Sequence, residues 1–405
     1  MLNLHLEKIR GKKSKKLEKK TVVLAVTGSI AAVETVKLAR ELIRRGANVV
    51  AVMSEAAQKI IHPYALEYAT GNSVVTEITG KVEHVEYCGS DGKADLLLIA
   101  PATANTISKI ANGIDDTPVT TFASTALGSG KKILIAPAMH EAMMNNRSLL
   151  ENVEKLKKMG VEFVQPKFEE GKAKFPEIEQ ICLQVERAVY EKKEFFGKRV
   201  VITAGPSFEQ IDPIRFISNR SSGMMGKELA LEFWRRGAEI TLITSKPTGF
   251  SLPNFKEIRF FSVLDLLKIA LNEIEKGCDI FVSAAAASDF ILEAEKTKIK
   301  TTEELTLKLK AAPKVIKEVE KKFKGKIIGF KAETGISDSE LLKIASEKLI
   351  LENLSMVVAN DVLEKGMGTE DTRVVVVTAR SFEWLEGHKS FVAEKIVDKF
   401  VEDCL

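Results

Sequence analysis

Cysteine is scarce and scattered. The chain has 405 residues and four cysteines, Cys88, Cys182, Cys278 and Cys404. None sits at a metal-like spacing, which argues against a zinc site and fits a reducing, cytoplasmic setting. Long apolar runs are missing too, so no stretch suffices to span a membrane. The first 20 residues are rich in lysine, with Lys12-Lys13, Lys15-Lys16 and Lys19-Lys20. They lack the apolar core of a signal peptide and read as a solvated, frayed tail over residues 1–20. An excess of one charge is also absent. The net charge is only +4, and no basic stripe alternates with aromatics, so nucleic acid is not the expected partner. Glutamine is sparse beside lysine and glutamate, a weak sign of heat adaptation.

What is present is enough for two cored domains, with 45% hydrophobic and 29% charged residues. The chain repeats itself. Thr21-Val22-Val23-Leu24-Ala25-Val26-Thr27-Gly28 reads as a buried strand and turn. A helix-period run ends Arg44-Arg45-Gly46-Ala47, and the strand Asn48-Val49-Val50-Ala51-Val52-Met53 follows. The same order returns with the strand 200–203, a helix ending Arg235-Arg236-Gly237-Ala238, and the strand 239–244. Gly46 and Gly237 stand where helix C-caps need glycine. The first half continues with strands at 95–99, 133–136 and 161–164. The second continues with strands at 279–283, 305–310, 326–330, 356–358 and 374–377. Apolar strands alternating with amphipathic helices give the fold class α/β: two doubly wound, Rossmann-like parallel-sheet domains. The charged stretch 190–198 is the expected boundary, giving domains 21–190 and 191–405.

Ligands in such folds bind at the carboxyl ends of the strands. The run 205–226 leaves the strand 200–203 and leads into the helix-like segment 227–236. Ser221-Ser222-Gly223 lies where that helix should begin, and free N–H groups there favour phosphate. Arg215, Asn219 and Arg220 add donors. A loop this long fits a site for a phosphate-bearing substrate or nucleotide, or a plain crossover. In the first half, Thr27-Gly28-Ser29 is a possible phosphate cradle, though not a full dinucleotide fingerprint. The loops at Ser54, 100–105 and 136–140 offer small residues and hydroxyls with room for a planar cofactor, or simply tight helix–sheet packing. His84, in an expected polar loop, has the chemistry of a general base but equally suits a surface position. His140 lies directly at a strand end.

These motifs together resemble the bifunctional coenzyme A biosynthesis flavoproteins, which join a phosphopantothenoylcysteine decarboxylase to a phosphopantothenate–cysteine ligase. The resemblance covers nearly everything after the Lys-rich segment. In the first half it rests on Thr27-Gly28-Ser29-Ile30-Ala31-Ala32, Ala100-Pro101-Ala102-Thr103-Ala104-Asn105, and Pro137-Ala138-Met139 followed by Met143. In the second it rests on Thr203-Ala204-Gly205-Pro206-Ser207, Asp212-Pro213-Ile214-Arg215-Phe216-Ile217-Ser218-Asn219, Ser221-Ser222-Gly223, Lys298-Ile299-Lys300, Gly329-Phe330-Lys331-Ala332-Glu333-Thr334 and Ala359-Asn360-Asp361.

The resemblance implies a ligase that uses CTP and Mg²⁺ to join 4′-phosphopantothenate to cysteine through an acyl-cytidylate. It then implies an FMN-dependent decarboxylation of 4′-phosphopantothenoylcysteine to 4′-phosphopantetheine. By similarity Asn219 holds the acyl-cytidylate, Lys298 is catalytic, and Arg215, Ser221, Ser222 and Gly223 bind substrate. The nucleotide positions are Gly205, Ser283, Ala284, Ala285, Asp289, Lys298, Ala312, Pro313, Lys314, Val315, Phe330 and Lys348. Metal ligands are not identifiable. His84 matches the decarboxylase base, Gly28, Ser29, Ser54, Ala102, Thr103 and Asn105 the FMN site, and Met139 and His140 the substrate site. A homo-oligomer, trimer-based or larger, is implied as well.

Three departures stand out. His140 replaces an asparagine of the family. The stretch 169–176 lacks the flap cysteine that protonates the enethiol, for which Cys182, Lys172 or Lys174 are candidate replacements. Glu352 replaces a nucleotide-contacting lysine. Two other readings follow: a ligase whose flavin domain stops short of reductive decarboxylation, and a non-catalytic flavin-fold regulatory subunit.

Overall fold

The strand Thr21–Val26 shows how composition becomes architecture. Val22, Leu24 and Val26 join one buried apolar cluster, Val23 and Ala25 another. The strand is therefore covered on both faces, as a parallel sheet requires. In the computed structural model, which describes residues 4–169, 172–301, 304–363 and 367–405, it lies inside a five-stranded parallel sheet. The order is Asn48–Met53, Thr21–Val26, Leu96–Ala102, Lys132–Pro137 and Glu162–Phe163. Counted along this sheet the order is 2-1-3-4-5, whose direction switches between the first and third strands, where ligands bind. Met1–Glu191 with Phe250–Leu252 form one compact unit, and Lys192–Gly249 with Pro253–Leu405 the other.

The second unit holds an eight-stranded sheet. Its order is Phe255–Arg259, Glu239–Thr244, Arg199–Ala204, Ile280–Ser283, Lys326–Glu333, Met356–Asp361, Asp371–Thr378 and Phe382–His388. Pairing is parallel from the first edge to Met356–Asp361. The final two pairings are antiparallel, which corrects the expectation of a wholly parallel sheet. The run at 374–377 is as apolar as a parallel strand, but residues 379–381 are too few for a crossover, so the chain turns back as a hairpin. Residues 305–310 do not form the expected strand of this sheet. Leu305 and Leu309 remain 50% and 44% exposed, no face buries, and only Lys310–Ala311 pairs, antiparallel to Phe290–Ile291.

The internal repeat extends further than sequence shows. Leu17 and Phe195 are both fully buried, each four residues before its strand. The Leu17 N–H donates to Arg45 O at 2.8 Å, and the Phe195 N–H to Arg236 O at 3.1 Å. Gly46 and Gly237 follow those arginines with φ of 102° and 104°, as C-cap glycines do. Residues 4–20 are consequently no frayed tail. Leu6 and Leu17 enter the core, and Lys13 pairs with Glu41 and Glu179. Alternating lysines hid two apolar anchors.

Arg45 is 3% exposed, and its Nη1 donates to Glu186 Oε1 at 2.6 Å. Burial opposes its charge, but Glu186 and Glu179 hold it firmly protonated. Glu179 and Glu41 also meet Arg45, so Glu186→Ala removes the most deeply buried of three carboxylates and is expected to destabilise the first unit by about 2 kcal/mol in denaturant unfolding, the worth of a hydrogen bond to a charged group. An unchanged midpoint would show the pair to be energetically idle. Cys182, beside it, is fully buried, and burial pushes its thiol up; it is a packing residue and no proton donor.

Candidate active sites

In the first unit, Thr27 ties two strand ends together. Its Oγ1 donates to Pro101 O at 2.8 Å and accepts from Thr103 N–H at 3.1 Å. A Cβ on Gly28 would stand 2.5 Å from the Cβ of Ala56, so the first turn lies directly on the loop after the second strand and only glycine fits. Ser29 Oγ accepts from Ala31 N–H, Ser54 Oγ from Ala57 N–H and Thr103 Oγ1 from Thr106 N–H, at 3.4, 3.3 and 3.3 Å. The Ser29 and Ser54 hydroxyls keep a proton to donate, while the Thr103 Oγ1 also lies 3.1 Å from the Thr106 Oγ1. Ala102 is buried, and Asn105 stands exposed in the first turn of the helix Ala104–Ala111. The Ala138 N–H donates to Ala102 O at 3.0 Å, which draws the fourth loop in. The strand order thus gathers the loops at 27–29, 54, 102–105 and 138–140 along one edge.

His84 lies in the short helix Glu83–Cys88, not in a loop. Thr79 N–H donates to Glu83 Oε2 at 3.0 Å and Val82 turns with φ of 49°, which starts the helix. The His84 Nδ1 is buried and has no partner. Buried polar atoms are rarely left so, and an orphaned imidazole nitrogen fits a site that a ligand completes. The glycine approach and the hydroxyls at the strand ends fit a flavin, and the orphaned His84 nitrogen fits a group of its substrate. Met139 is half-buried and His140 exposed. Their strand pairs antiparallel with Lys172–Lys174, His140 opposite Lys172 in backbone register. Glu170 and Gly171 of the expected flap lie outside the described residues, as do the side chains of Lys172 and Lys174.

In the second unit the long polar loop is a hairpin. Phe208–Gln210 pairs antiparallel with Phe216–Ser218, and Phe216 packs edge-on against Phe208 at 4.9 Å between ring centroids. Asp212 holds the tip. Its carboxylate is fully buried and accepts from the N–H groups of Ile214 and Arg215, both at 2.8 Å, from Arg215 Nη1 at 3.1 Å and from the Ile299 N–H at 3.2 Å. Burial pushes its carboxyl up, but those backbone donors and the Arg215 charge reverse this and hold it below the ordinary range. One carboxylate therefore fastens the Arg215–Asn219 arm to the segment carrying Lys298, whose side chain is exposed. The role of Asp212 does not show in the sequence, because three of its four donors are backbone N–H groups.

The arm reaches a second loop. Asn219 Nδ2 donates to Ala286 O at 2.7 Å, Ser218 Oγ to Ser207 O at 2.8 Å, and Ser288 N–H to Ser207 Oγ at 2.9 Å. Ala284 and Ala285 open that loop after Ser283, and the Ala285 N–H donates to Thr203 Oγ1 at 3.2 Å. Asp289 forms an ion pair with Lys314, and its carbonyl accepts from the Ala312 N–H at 2.9 Å, which brings 312–315 alongside; Pro313 is half-buried and Val315 buried. Phe330 follows Gly329 on the strand Lys326–Glu333, where Gly329 sits opposite Ser283. A Cβ on Gly329 would lie 3.6 Å from Lys348 Cε. Lys348 forms an ion pair with Glu352. Gly205 takes φ of 86° and Gly223 φ of 76° as the helix Met224–Arg235 begins. The ligase-side residues thus meet along one sheet edge. Among the described residues, no group of three or more His, Cys, Asp or Glu could hold a metal ion, and no helix is long and apolar enough to cross a membrane.

Two family signatures match in this same order. Flavoprotein covers residues 10–189, and the DNA/pantothenate metabolism flavoprotein C-terminal domain covers 195–404. The coenzyme A biosynthesis bifunctional protein CoaBC of Thermococcus kodakarensis is 52% identical over 379 residues, 92% of each chain. The chain belongs to this family of bifunctional coenzyme A biosynthesis enzymes. The family member of Methanocaldococcus jannaschii is 43% identical over 96% of each chain, and that of Bacillus subtilis 34% over 92% of each. The solved DNA/pantothenate metabolism flavoprotein of Streptococcus pneumoniae is 25% identical, covers 51% of this chain and 98% of its own, and has a TM-score of 0.45. The first unit is the family's flavoprotein domain and carries a flavin; the reading as a non-catalytic regulatory subunit is not favoured.

Proposed function

We propose that the second unit activates the carboxylate of 4′-phosphopantothenate with CTP, and that the first unit decarboxylates the product. In the first step the carboxylate attacks the α-phosphorus of CTP and pyrophosphate leaves. The amine of cysteine then displaces CMP from the acyl-cytidylate, giving 4′-phosphopantothenoylcysteine. Little covalent chemistry falls to the protein; it has to position the groups and neutralise charge. The observation that carries this reading is the Asp212 cluster, which fixes the Arg215–Asn219 arm and the Lys298 segment relative to each other. Asn219, already at Ala286 O, holds the acyl-cytidylate, and Lys298 meets the developing charge. Mg²⁺ arrives with the triphosphate.

In the first unit FMN, when bound, supplies the electron sink that lets CO₂ leave. Gly28, Ser29, Ser54, Ala102, Thr103 and Asn105 hold it. His84 takes the proton at the imidazole, and Met139 and His140 face the substrate, with His140 donating a hydrogen bond in the place of an amide. The enzyme works in the cytoplasm as a homo-oligomer, trimer-based or larger. One equivalent of pyrophosphate from CTP and 4′-phosphopantothenate alone, with continued release and CMP only after cysteine is added, tests the ligase reading; no pyrophosphate from CTP and 4′-phosphopantothenate, with or without cysteine, would sink it. The other reading, a flavin unit that stops before reduction, is not favoured, and product mass separates the two.

The Lys348–Glu352 pair yields a further expectation. Glu352→Lys removes the carboxylate that neutralises Lys348, so the KM for CTP should fall about fivefold, as charge-assisted contacts to phosphate strengthen. A KM that rises would place Glu352 itself in nucleotide binding.

A further inference from the structure

Two motifs at strand ends open on a threonine, Thr27-Gly28-Ser29 and Thr203-Ala204-Gly205, and neither threonine is among the residues assigned to a ligand. Both are 1% exposed. Each belongs to the first strand of its unit, Thr203 within Arg199–Ala204 and Thr27 directly after Thr21–Val26. In both sheets the next strand of the chain lies on one side of that strand, and a later one, Leu96–Ala102 or Ile280–Ser283, on the other. The gap toward the later strand is the switch point, where ligands bind. The two hydroxyls span it in the same way. Thr27 Oγ1 donates to Pro101 O at 2.8 Å and accepts from the Thr103 N–H at 3.1 Å. Thr203 Oγ1 donates to Val282 O at 3.3 Å and accepts from the Ala285 N–H at 3.2 Å. Backbone pairing across the gap ends at Ala25 in one unit and at Thr203 itself in the other, so each hydroxyl takes over where the ladder stops. Thr27 stands ten residues after the anchor Leu17 and Thr203 eight after Phe195. The bridge therefore recurs on the same strand face without being one copied position.

Valine has nearly the shape of threonine and, in strands this apolar, would bury without the cost of a hydroxyl. What the hydroxyl adds is direction. Its proton is spent on the neighbouring strand and a lone pair on an amide of the loop beyond. In the first unit that amide belongs to Thr103, which caps the helix Ala104–Ala111 and stands between Ala102 and Asn105 of the flavin site. In the second it belongs to Ala285, whose neighbour Ala286 accepts through its carbonyl from Asn219 Nδ2 at 2.7 Å. Buried as they are, the threonines act through the loops they hold. We propose that Thr27 and Thr203 are matching positioning residues, each setting the ligand loop of its own unit: 102–105 for the flavin and 284–289 for the nucleotide. The nucleotide half rests on the ligase reading; the flavin half stands without it.

The test measures two dissociation constants on the whole chain. Flavin release is followed by recovery of flavin fluorescence when the flavin-loaded protein is diluted, and CTP binding by calorimetric titration. Thr27→Val is expected to weaken flavin binding about tenfold and leave CTP binding unchanged, and Thr203→Val to do the reverse. Thr27→Ser and Thr203→Ser keep the hydroxyl and should return each constant to within about twofold of the parent. A lowered unfolding temperature with both constants unmoved would mean that the threonines serve only the fold, and the proposal would be wrong. It would be wrong too if the parent binds both ligands and only one unit responds. A parent that binds no CTP contradicts the ligase reading, and the flavin half then decides alone. Should a valine variant not fold, cysteine at the same position, a weaker donor and acceptor, carries the test with a smaller shift of the same sign.

Discussion

Replacing His84 by asparagine is expected to slow CO₂ release from 4′-phosphopantothenoylcysteine by about 10²–10⁴-fold, the usual worth of a positioned acid–base group. Pyrophosphate release by the second unit should be unchanged. The Nδ1 of His84 is buried and unpartnered. A histidine that served the fold would spend that nitrogen on a protein acceptor or donor; this one is held for something that arrives. Asparagine keeps a polar side chain of similar reach but cannot take up a proton near neutral pH. The variant should also stay yellow, because His84 lies outside the loops assigned to the flavin. Flavin absorbance, CO₂ and pyrophosphate measured on one preparation check all three statements. Loss of both activities together would mean that His84 supports structure.

Asp212→Asn is expected to reverse that pattern, lowering ligase kcat/KM about a hundredfold, as small misplacements of positioning groups can, with decarboxylation intact. The carboxylate accepts from the backbone N–H groups of Ile214, Arg215 and Ile299 and from the Arg215 guanidinium. An amide has one acceptor oxygen and turns an NH₂ toward donors, so the arm and the Lys298 segment lose their common fastening. The KM for CTP and that for 4′-phosphopantothenate should both rise, because Asp212 touches neither and acts through both elements. Asp212→Glu should recover part of the loss. The sign of the pH effect follows from the lowered carboxyl. A depressed carboxyl contributes stability above its unfolded value and loses it only as pH falls through the folded one. The ligase loop should therefore hold down to roughly pH 4 or below. Loss of ligase activity on acidification between about pH 6 and 5, restored in no variant of Asp212, would assign the titration elsewhere.

The strands were largely legible because burial on both faces leaves continuous apolar runs, as in Thr21–Val26 and Arg199–Ala204. The edge hairpin was not, since 374–377 reads the same whether its neighbour runs parallel or antiparallel. The helix that carries His84 has six residues, too few to show periodicity in the sequence. The basic segment misled for a simpler reason: Leu6 and Leu17 are two residues among many lysines. Glycine and hydroxyl positions such as Gly28, Ser54 and Gly223 were visible from strand-to-helix punctuation. The role of Asp212 was not, because it lies in backbone groups that only the folded chain brings together.

The central claim is that one chain carries phosphopantothenate through ligation and reductive decarboxylation. The most direct test supplies 4′-phosphopantothenate, cysteine, CTP and Mg²⁺ to the flavin-loaded protein without added reductant and follows pyrophosphate, CO₂ and product mass. Stoichiometric pyrophosphate and CO₂ with 4′-phosphopantetheine at full mass is the expected result. Accumulation of 4′-phosphopantothenoylcysteine without CO₂, or a product two hydrogens lighter, would contradict it.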